Sequence, residues 1–226
     1  MRRFYTLLAL AGLVSGVYGQ TKDLGNPVGW NSKVPKVSEV EVMPGFDLQL
    51  AQFEDSINDA NKIGPWKFGH EYQVDYDLNN SGEWFTLPSG DRLWRLKIDC
   101  PGAITQNFIF DIFDLPEGAY LMMYPADRHY HHNAYTSDNN NEQKVLGSAL
   151  IDGEEVIIEY FEPKAVSGLG QLHLETIVHG YRSVNAYYDE MEKALNSSGD
   201  CNIDVLCPLG VGWENQVNSV AMILVG

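Results

Sequence analysis

Tyr72-Gln73-Val74-Asp75-Tyr76, Glu83-Trp84-Phe85-Thr86-Leu87 and Arg92-Leu93-Trp94-Arg95-Leu96-Lys97-Ile98 follow one another, with the turn-forming stretches Asn79-Asn80-Ser81-Gly82 and Pro88-Ser89-Gly90-Asp91 between them. Side chains along a strand point to alternate faces, so a half-buried strand alternates apolar and polar residues. Tyr72 to Tyr76 does so. In the third stretch Trp94, Leu96 and Ile98 share one face, with Arg95 and Lys97 on the other; Leu93 breaks the alternation at the start. Gly, Pro, Asn, Ser and Asp in the intervening stretches supply the bends. The expectation is a set of antiparallel strands with one buried face.

Outward from this stretch, further strand candidates are Gln106–Phe113, Ala119–Tyr124, Lys144–Ile151, Glu155–Phe161 and Gln171–His179. Leu115-Pro116-Glu117-Gly118 and Ile151-Asp152-Gly153 join two pairs of them, and an Asp-Gly between apolar runs is a strong hairpin signal. About eight short strands at nearly even spacing predict a mainly β fold, a jelly-roll-like antiparallel β-sandwich over residues 46–182. Phe46, Leu50, Phe53 and Ile57 recur at three to four residues behind Asp47, so a short amphipathic helix capped by Asp47 is expected over 46–61. Residues 20–45 are polar and carry Pro27, Pro35 and Pro44, and read as an extended arm.

The composition suits a globular, exported protein. Apolar residues make up 44% and aromatic residues 12% of the chain, enough for a real core. Thirty-one acidic residues against 15 basic ones give a net charge of -16. That balance argues against nucleic acid, which needs clustered Lys and Arg, and favours solubility or a basic protein partner. Met1-Arg2-Arg3, the apolar run Phe4–Val14 and the compact residues Ser15–Gly19 form a signal-peptide pattern, with cleavage expected between Gly19 and Gln20 and the mature protein secreted. The apolar run is too short to cross about 30 Å of hydrocarbon, and no later segment is long enough to span a membrane.

Past residue 182 the character changes. Val184–Leu195 has helical composition, Asn196–Asp200 is a polar linker, and Gln216–Val225 is an apolar, strand-like run that wants sheet neighbours. Residues 201–226 therefore read as the incomplete start of a second domain. Cysteines number three, Cys100, Cys201 and Cys207, and an odd count leaves at least one without a mate in the chain.

Gly199-Asp200-Cys201-Asn202-Ile203-Asp204-Val205-Leu206-Cys207-Pro208, followed by Gly212-Trp213-Glu214-Asn215-Gln216-Val217 and Ser219-Val220-Ala221, resembles the amino-terminal start of secreted lysyl endopeptidases. These are bacterial trypsin-like serine proteases with a double β-barrel. Asn79-Ser81-Gly82-Trp84, Arg92-Trp94-Arg95-Leu96, Gly147-Ser148 and Glu159-Tyr160 look like the pro-region of such precursors. The resemblance implies a zymogen that cleaves after lysine when full length. Its pro-region would inhibit the downstream protease domain, assist its folding, or both, with peptides as the substrates of the complete enzyme. It also implies that Cys201 and Cys207 pair with cysteines further along, that Cys100 is a lone thiol, and that the His, Asp and Ser of the triad follow residue 226. Without that resemblance, a Cys201–Cys207 pair stays open. No catalytic residue is expected in this chain, and it should be inactive alone. Precursors of the family mature by cutting after a lysine near this point, which implies Lys193–Ala194 as the processing bond; an ordinary surface lysine beside Glu190 and Glu192 is the competing reading.

Other constellations point elsewhere. Asp127-Arg128-His129-Tyr130-His131-His132 could bind a metal, though an exposed loop explains it as well; Asp138–Glu142 lacks the glycine and spacing of a calcium loop. Neither metal nor cofactor is expected. Trp66, Trp84 and Trp94 with Tyr72, Tyr76 and Tyr124 could line a sugar groove, or could be core residues. Asn79 and Asn196 sit in glycosylation-type triplets. The alternative function is thus a secreted β-sandwich module that binds carbohydrate or protein without catalysis.

Overall fold

The structure, a computed structural model, describes residues 21–183. In chain order its elements are β1 (Glu41–Val42), α1 (Leu48–Asn61), β2 (Gly69–Asp77), β3 (Glu83–Thr86), β4 (Arg92–Asp99), β5 (Thr105–Asp114), β6 (Tyr120–Pro125), β7 (Tyr135–Thr136), β8 (Leu146–Gly147), β9 (Ile151–Asp152), β10 (Glu155–Glu162) and β11 (Gln171–Gly180). One sheet runs β1-β4-β10-β6-β7 with β3 also beside β4; the other runs β2-β11-β5-β8 with β9 also beside β5. Pairing is antiparallel except for the two residues of β1 on β4. The chain is mainly β and its sheets form a sandwich, as the alternation of apolar residues required.

The core lies between the sheets. From the first come Trp94, Leu96 and Ile98 of β4, Leu121 and Met123 of β6, and Val156, Ile158 and Tyr160 of β10; from the second come Phe108 and Phe110 of β5 and Leu172 and Leu174 of β11. Most of these are under 3% exposed. Burying such side chains contributes about 1.5–3 kcal/mol each relative to leaving them in water. Both sheets are centred on the strands that come last in sequence: β10 lies between β4 and β6, and β11 between β2 and β5.

The turn stretches bend the chain as their residues dictate, but only Pro88–Asp91 of the four makes a hairpin, with Leu87 N–H donating to Asp91 O at 2.8 Å and β3 pairing β4. Asn79–Gly82, Leu115–Gly118 and Ile151–Gly153 instead carry the chain from one sheet to the other. The Asp-Gly hairpin is therefore corrected. Gly153 takes φ +98°, which the bend requires, yet β9 pairs β5 while β10 pairs β4 and β6. A turn residue sets a local bend; which strand pairs with which is decided by burial. The strand expected over Lys144–Ile151 is also cut short, to Leu146–Gly147 and Ile151–Asp152. Between them the Ser148 hydroxyl accepts the Phe108 N–H at 2.9 Å, so a side chain takes the place of a ladder bond.

The outward face of β4, expected to be polar and wet, is covered. Arg95 is 1% exposed, and Glu159, its direct cross-strand partner on β10, is 0% exposed. The segment expected as an extended arm lies across them. Its 3-10 turn at Val28–Trp30 brings the Gly29 N–H to both Glu159 carboxylate oxygens at 3.1 and 3.0 Å. Tyr124 OH donates to the same carboxylate at 2.6 Å, and Trp30 stands edge-on to the Tyr124 ring. A Cβ on Gly29 would sit 2.2 Å from Glu159 Oε2, so the close approach requires glycine.

Helix α1 starts as expected, with Asp47 accepting the Leu50 N–H at 2.9 Å. Its orientation is reversed from the amphipathic reading: Asp55 is buried while Leu50, Phe53 and Ile57 face outward. Among the described residues Cys100 has no disulfide partner; it is fully buried, and burial, reinforced by the charge of Asp99, pushes its thiol up to about 12. No helix among the described residues is long and apolar enough to cross a membrane.

Candidate functional site

At one open end of the space between the sheets lies a cleft of about 350 Å³, where the start of β4, the end of β10, the start of β11 and the β2–β3 turn converge. Glu162, the last residue of β10, forms its floor; its side chain is 1% exposed. It accepts the Arg92 Nε–H at 2.5 Å, the Ser167 hydroxyl at 3.0 Å, the Gly168 N–H at 3.1 Å from both oxygens, and Tyr160 OH at 3.2 Å. A buried carboxylate is tolerable when its lone pairs are filled in this way. Arg92 also ion-pairs with Glu162 through its terminal nitrogen.

The same guanidinium lies over the Trp84 ring, 4.2 Å from the centroid, a cation–π contact that fixes the indole as a wall. Trp84 Nε1–H donates to Leu78 O at 2.8 Å, and the residue is 36% exposed. Ile112 adds a second exposed apolar rim residue.

His173 of β11 lines the opposite side, held between two carboxylates: Nδ1 meets Asp111 of β5, and Nε2 meets Asp75 of β2 at 2.8 Å. The hydrogen bond to Asp111 raises its pKa above the ordinary histidine value; burial opposes this, and the hydrogen bond to Asp75 and the charges of both carboxylates add to the rise. Because the folded value is the higher one, the stabilisation is fully present below the unfolded pKa of about 6.5 and fades as pH rises through the folded value. His70 and His179 shift the other way through burial, so their contributions fade as pH falls. Comparing His173→Gln with wild type isolates the His173 effect. The expected result is that urea midpoints of the two converge as pH is raised from about 6 to about 9, with the wild type the more stable at the acid end. Curves that stay parallel across that window would show that the imidazolium contributes nothing.

The lining of the cleft holds carboxylates, an imidazole, a guanidinium and an indole, but no Ser, Thr or Cys. Its guanidinium is already engaged by Glu162 and Trp84. The arrangement suits binding: Trp84 and Ile112 offer apolar contact, and Asp77, held as a carboxylate by the backbone of Asn79 and Asn80, offers an acceptor to a basic side chain.

The sequence-derived site residues fall as follows. Gly19, Gln20, Lys193, Ala194, Cys201 and Cys207 lie outside the described residues. The histidine cluster is dispersed: His129 takes Asp127 at 2.5 Å, His131 stands against the Trp30 ring, and His132 Nε2 faces Leu150 O at 2.8 Å. Among the described residues no three His, Cys, Asp or Glu side chains form a metal-binding group. Within Asp138–Glu142, Asn140 pins the loop by accepting the Leu115 N–H at 3.0 Å. The aromatics proposed for a sugar groove are scattered, since Trp94 and Tyr124 are buried and Trp66 stacks with Arg182. Of the three Trp residues only Trp84 reaches the cleft. Sequence reasoning missed Arg92, Glu162 and His173, because their partners are on strands far apart in the chain.

No protein-family model matches the chain. Among solved structures, the chain is similar to PliG of Aeromonas hydrophila, a periplasmic inhibitor of g-type lysozyme, at 8% identity and a TM-score of 0.25. The match covers 62% of this chain and 96% of that one, and a score this low carries no argument.

Proposed function

We propose that the chain is the front part of a secreted trypsin-like serine protease precursor that cleaves after lysine when complete, with the β-sandwich as its pro-region. The observation that carries this reading is the segment Gly199–Pro208, with Gly212–Val217 and Ser219–Ala221, which resembles the start of lysyl endopeptidases and follows soon after β11 completes the second sheet. The pro-region acts on the protease domain beside it, as inhibitor, folding assistant or both. A barrel built from distant contacts folds slowly, and a removable partner can lower that barrier. The acidic balance of the chain supports a basic protease face as the contact.

Coding DNA downstream of codon 226 tests this cheaply. An Ala-x-His-Cys segment within the next few dozen codons is the expected result. A stop codon there instead would sink the precursor and leave a secreted sugar- or protein-binding module. In the complete precursor, Lys193→Gln is expected to block maturation at Lys193–Ala194; unchanged cutting at that bond would remove the processing assignment.

A further inference from the structure

Helix α1 is held to the sandwich at few points. Asp55 is its one buried residue and accepts the Tyr181 hydroxyl at 2.8 Å. Arg182 Nη1 lies 3.4 Å from Asp55, and Arg182 Nη2 lies 2.6 Å from Asp59. The remaining hold is Phe46, just ahead of the helix cap. Its ring lies flat on His70, with centroids 4.3 Å apart, and edge-on to His179 at 5.1 Å, with Tyr181 tilted beside it at 5.6 Å. A segment with so few buried contacts is among the first parts of a fold to open.

His70 of β2 and His179 of β11 are direct cross-strand partners, one step beyond the core pair Tyr72 and Ile177 on the same face. Gln106 of β5 continues the row on the far side of His179. His179 is 5% exposed and Gln106 fully buried. The Gln106 amide nitrogen is spent on the carbonyls of Gly153 and Glu154, at 3.1 and 2.6 Å. Gln106 Oε1 and His179 Nδ1 have no hydrogen-bond partner among the described residues. Phe46 thus closes a polar row at one end of the core.

The groups facing the pair leave it poorly able to hold charge. Burial lowers the pKa of His70, Lys67 lowers it further, and Glu71 opposes both. For His179 burial again comes first; the Gly102 carbonyl and Glu154 oppose it, and His70 itself adds to the lowering. Tyr72 and Tyr181 adjoin as neutral rings, and Asp55, Asp59 and Arg182 pair among themselves beyond Tyr181. Unlike His173, neither ring is hydrogen-bonded to a carboxylate among the described residues. Folded values below the unfolded value of about 6.5 mean that the pair stabilises above that pH and ceases to as pH falls through the folded values. Two imidazolium rings side by side repel and demand water. Lifting Phe46 admits it at the least cost, because the strands beneath are fixed by their ladder bonds.

We propose that His70 and His179, packed against Phe46, form an acid-operated latch: uncharged, they hold Phe46 and with it α1; on taking up protons they release both while the two sheets stay paired. The latch goes beyond the precursor reading and does not depend on it. Acid therefore strengthens the sandwich at His173 and loosens it at α1.

Hydrogen exchange on the full chain, expressed as protection factors from pH 7 to pH 5, reads the latch above the ordinary carboxylate range. Protection across α1 is expected to fall about tenfold over that window, with β4 and β10 unchanged. The double variant His70→Phe with His179→Gln keeps a ring on Phe46 and an amide at the buried position, and its α1 protection is expected to be flat. An equal fall in the double variant would overturn the latch, as would a wild-type α1 insensitive to pH or a loss shared by both sheets. Proton NMR of the wild type gives a second reading that needs no variant. The His70 and His179 rings are expected to titrate below the ordinary histidine value together with the Phe46 ring signals, and titration that leaves Phe46 unmoved would equally sink it.

Discussion

Glu159→Ala is expected to lower the unfolding free energy by about 3–5 kcal/mol, the scale for leaving a buried charge without the opposite charge near it. Burial raises the Glu159 pKa, and the hydrogen bonds from Tyr124 and Gly29 and the charge of Arg95 only partly offset it. The carboxylate is therefore costly in itself, and removing it relieves some strain. The stranded partner decides the outcome. Arg95 is 1% exposed, and its Nε and Nη1 have no hydrogen-bond partner among the described residues, so without Glu159 a full charge remains buried beside two unsatisfied donors. The variant also releases the Gly29 N–H and Tyr124 OH, loosening the segment that covers the sheet. Replacing both charges, Arg95→Met with Glu159→Leu, is expected to recover most of the loss, because neither desolvated charge is then left. Urea unfolding of the two singles and the double measures this. A double as unstable as Glu159→Ala would mean that the covering segment, not charge balance, sets the cost.

Glu162→Ala is expected to cost less, about 2–3 kcal/mol, on the scale of hydrogen bonds to a charged group. The difference lies in exposure: the Arg92 side chain is 34% exposed and can turn to water, whereas Arg95 cannot. The local effect is the larger one. Ser167 and Gly168 lose the acceptor that ties the β10–β11 connection to the floor of the cleft, and Arg92 is freed from its position over Trp84. Increased hydrogen exchange confined to 163–170, together with a changed tryptophan emission, is the expected signature. Glu162→Gln, which keeps an acceptor, should fall between. Loss of protection throughout both sheets would show that Glu162 supports the whole sandwich and not the cleft.

Alternation was a sound guide wherever a strand has one buried face. Together with the apolar runs bounded by turn residues, it located β4, β5, β6, β10 and β11 to within a few residues, and helical spacing located Asp47 as the cap of α1. It failed where a second layer covers the other face. Arg95 looked solvated because it alternates with Trp94 and Leu96, yet Val156-Ile157-Ile158-Glu159-Tyr160-Phe161 is apolar on both sides of Glu159, a composition that signals burial of both faces. That signal was available and bears on its cross-strand partner. No comparable trace exists for His173, whose carboxylates sit 62 and 98 positions away. The helix misled for a different reason: spacing shows that a helix has an apolar side but not which way that side faces. The processing and disulfide residues lie outside the described part, and their reading rests on sequence resemblance alone.

The placement of β10 and β11 has a consequence for biogenesis. Since an inner strand of each sheet is supplied by the final quarter of the sandwich, β2 waits through about a hundred residues of synthesis for its neighbour β11, and β4, already beside β3, waits through some sixty for β10. A nascent chain emerging vectorially can complete the first sheet only once Glu162 is out, and the second only once Gly180 is out. Completion of this unit thus coincides with the arrival of whatever polypeptide comes after it.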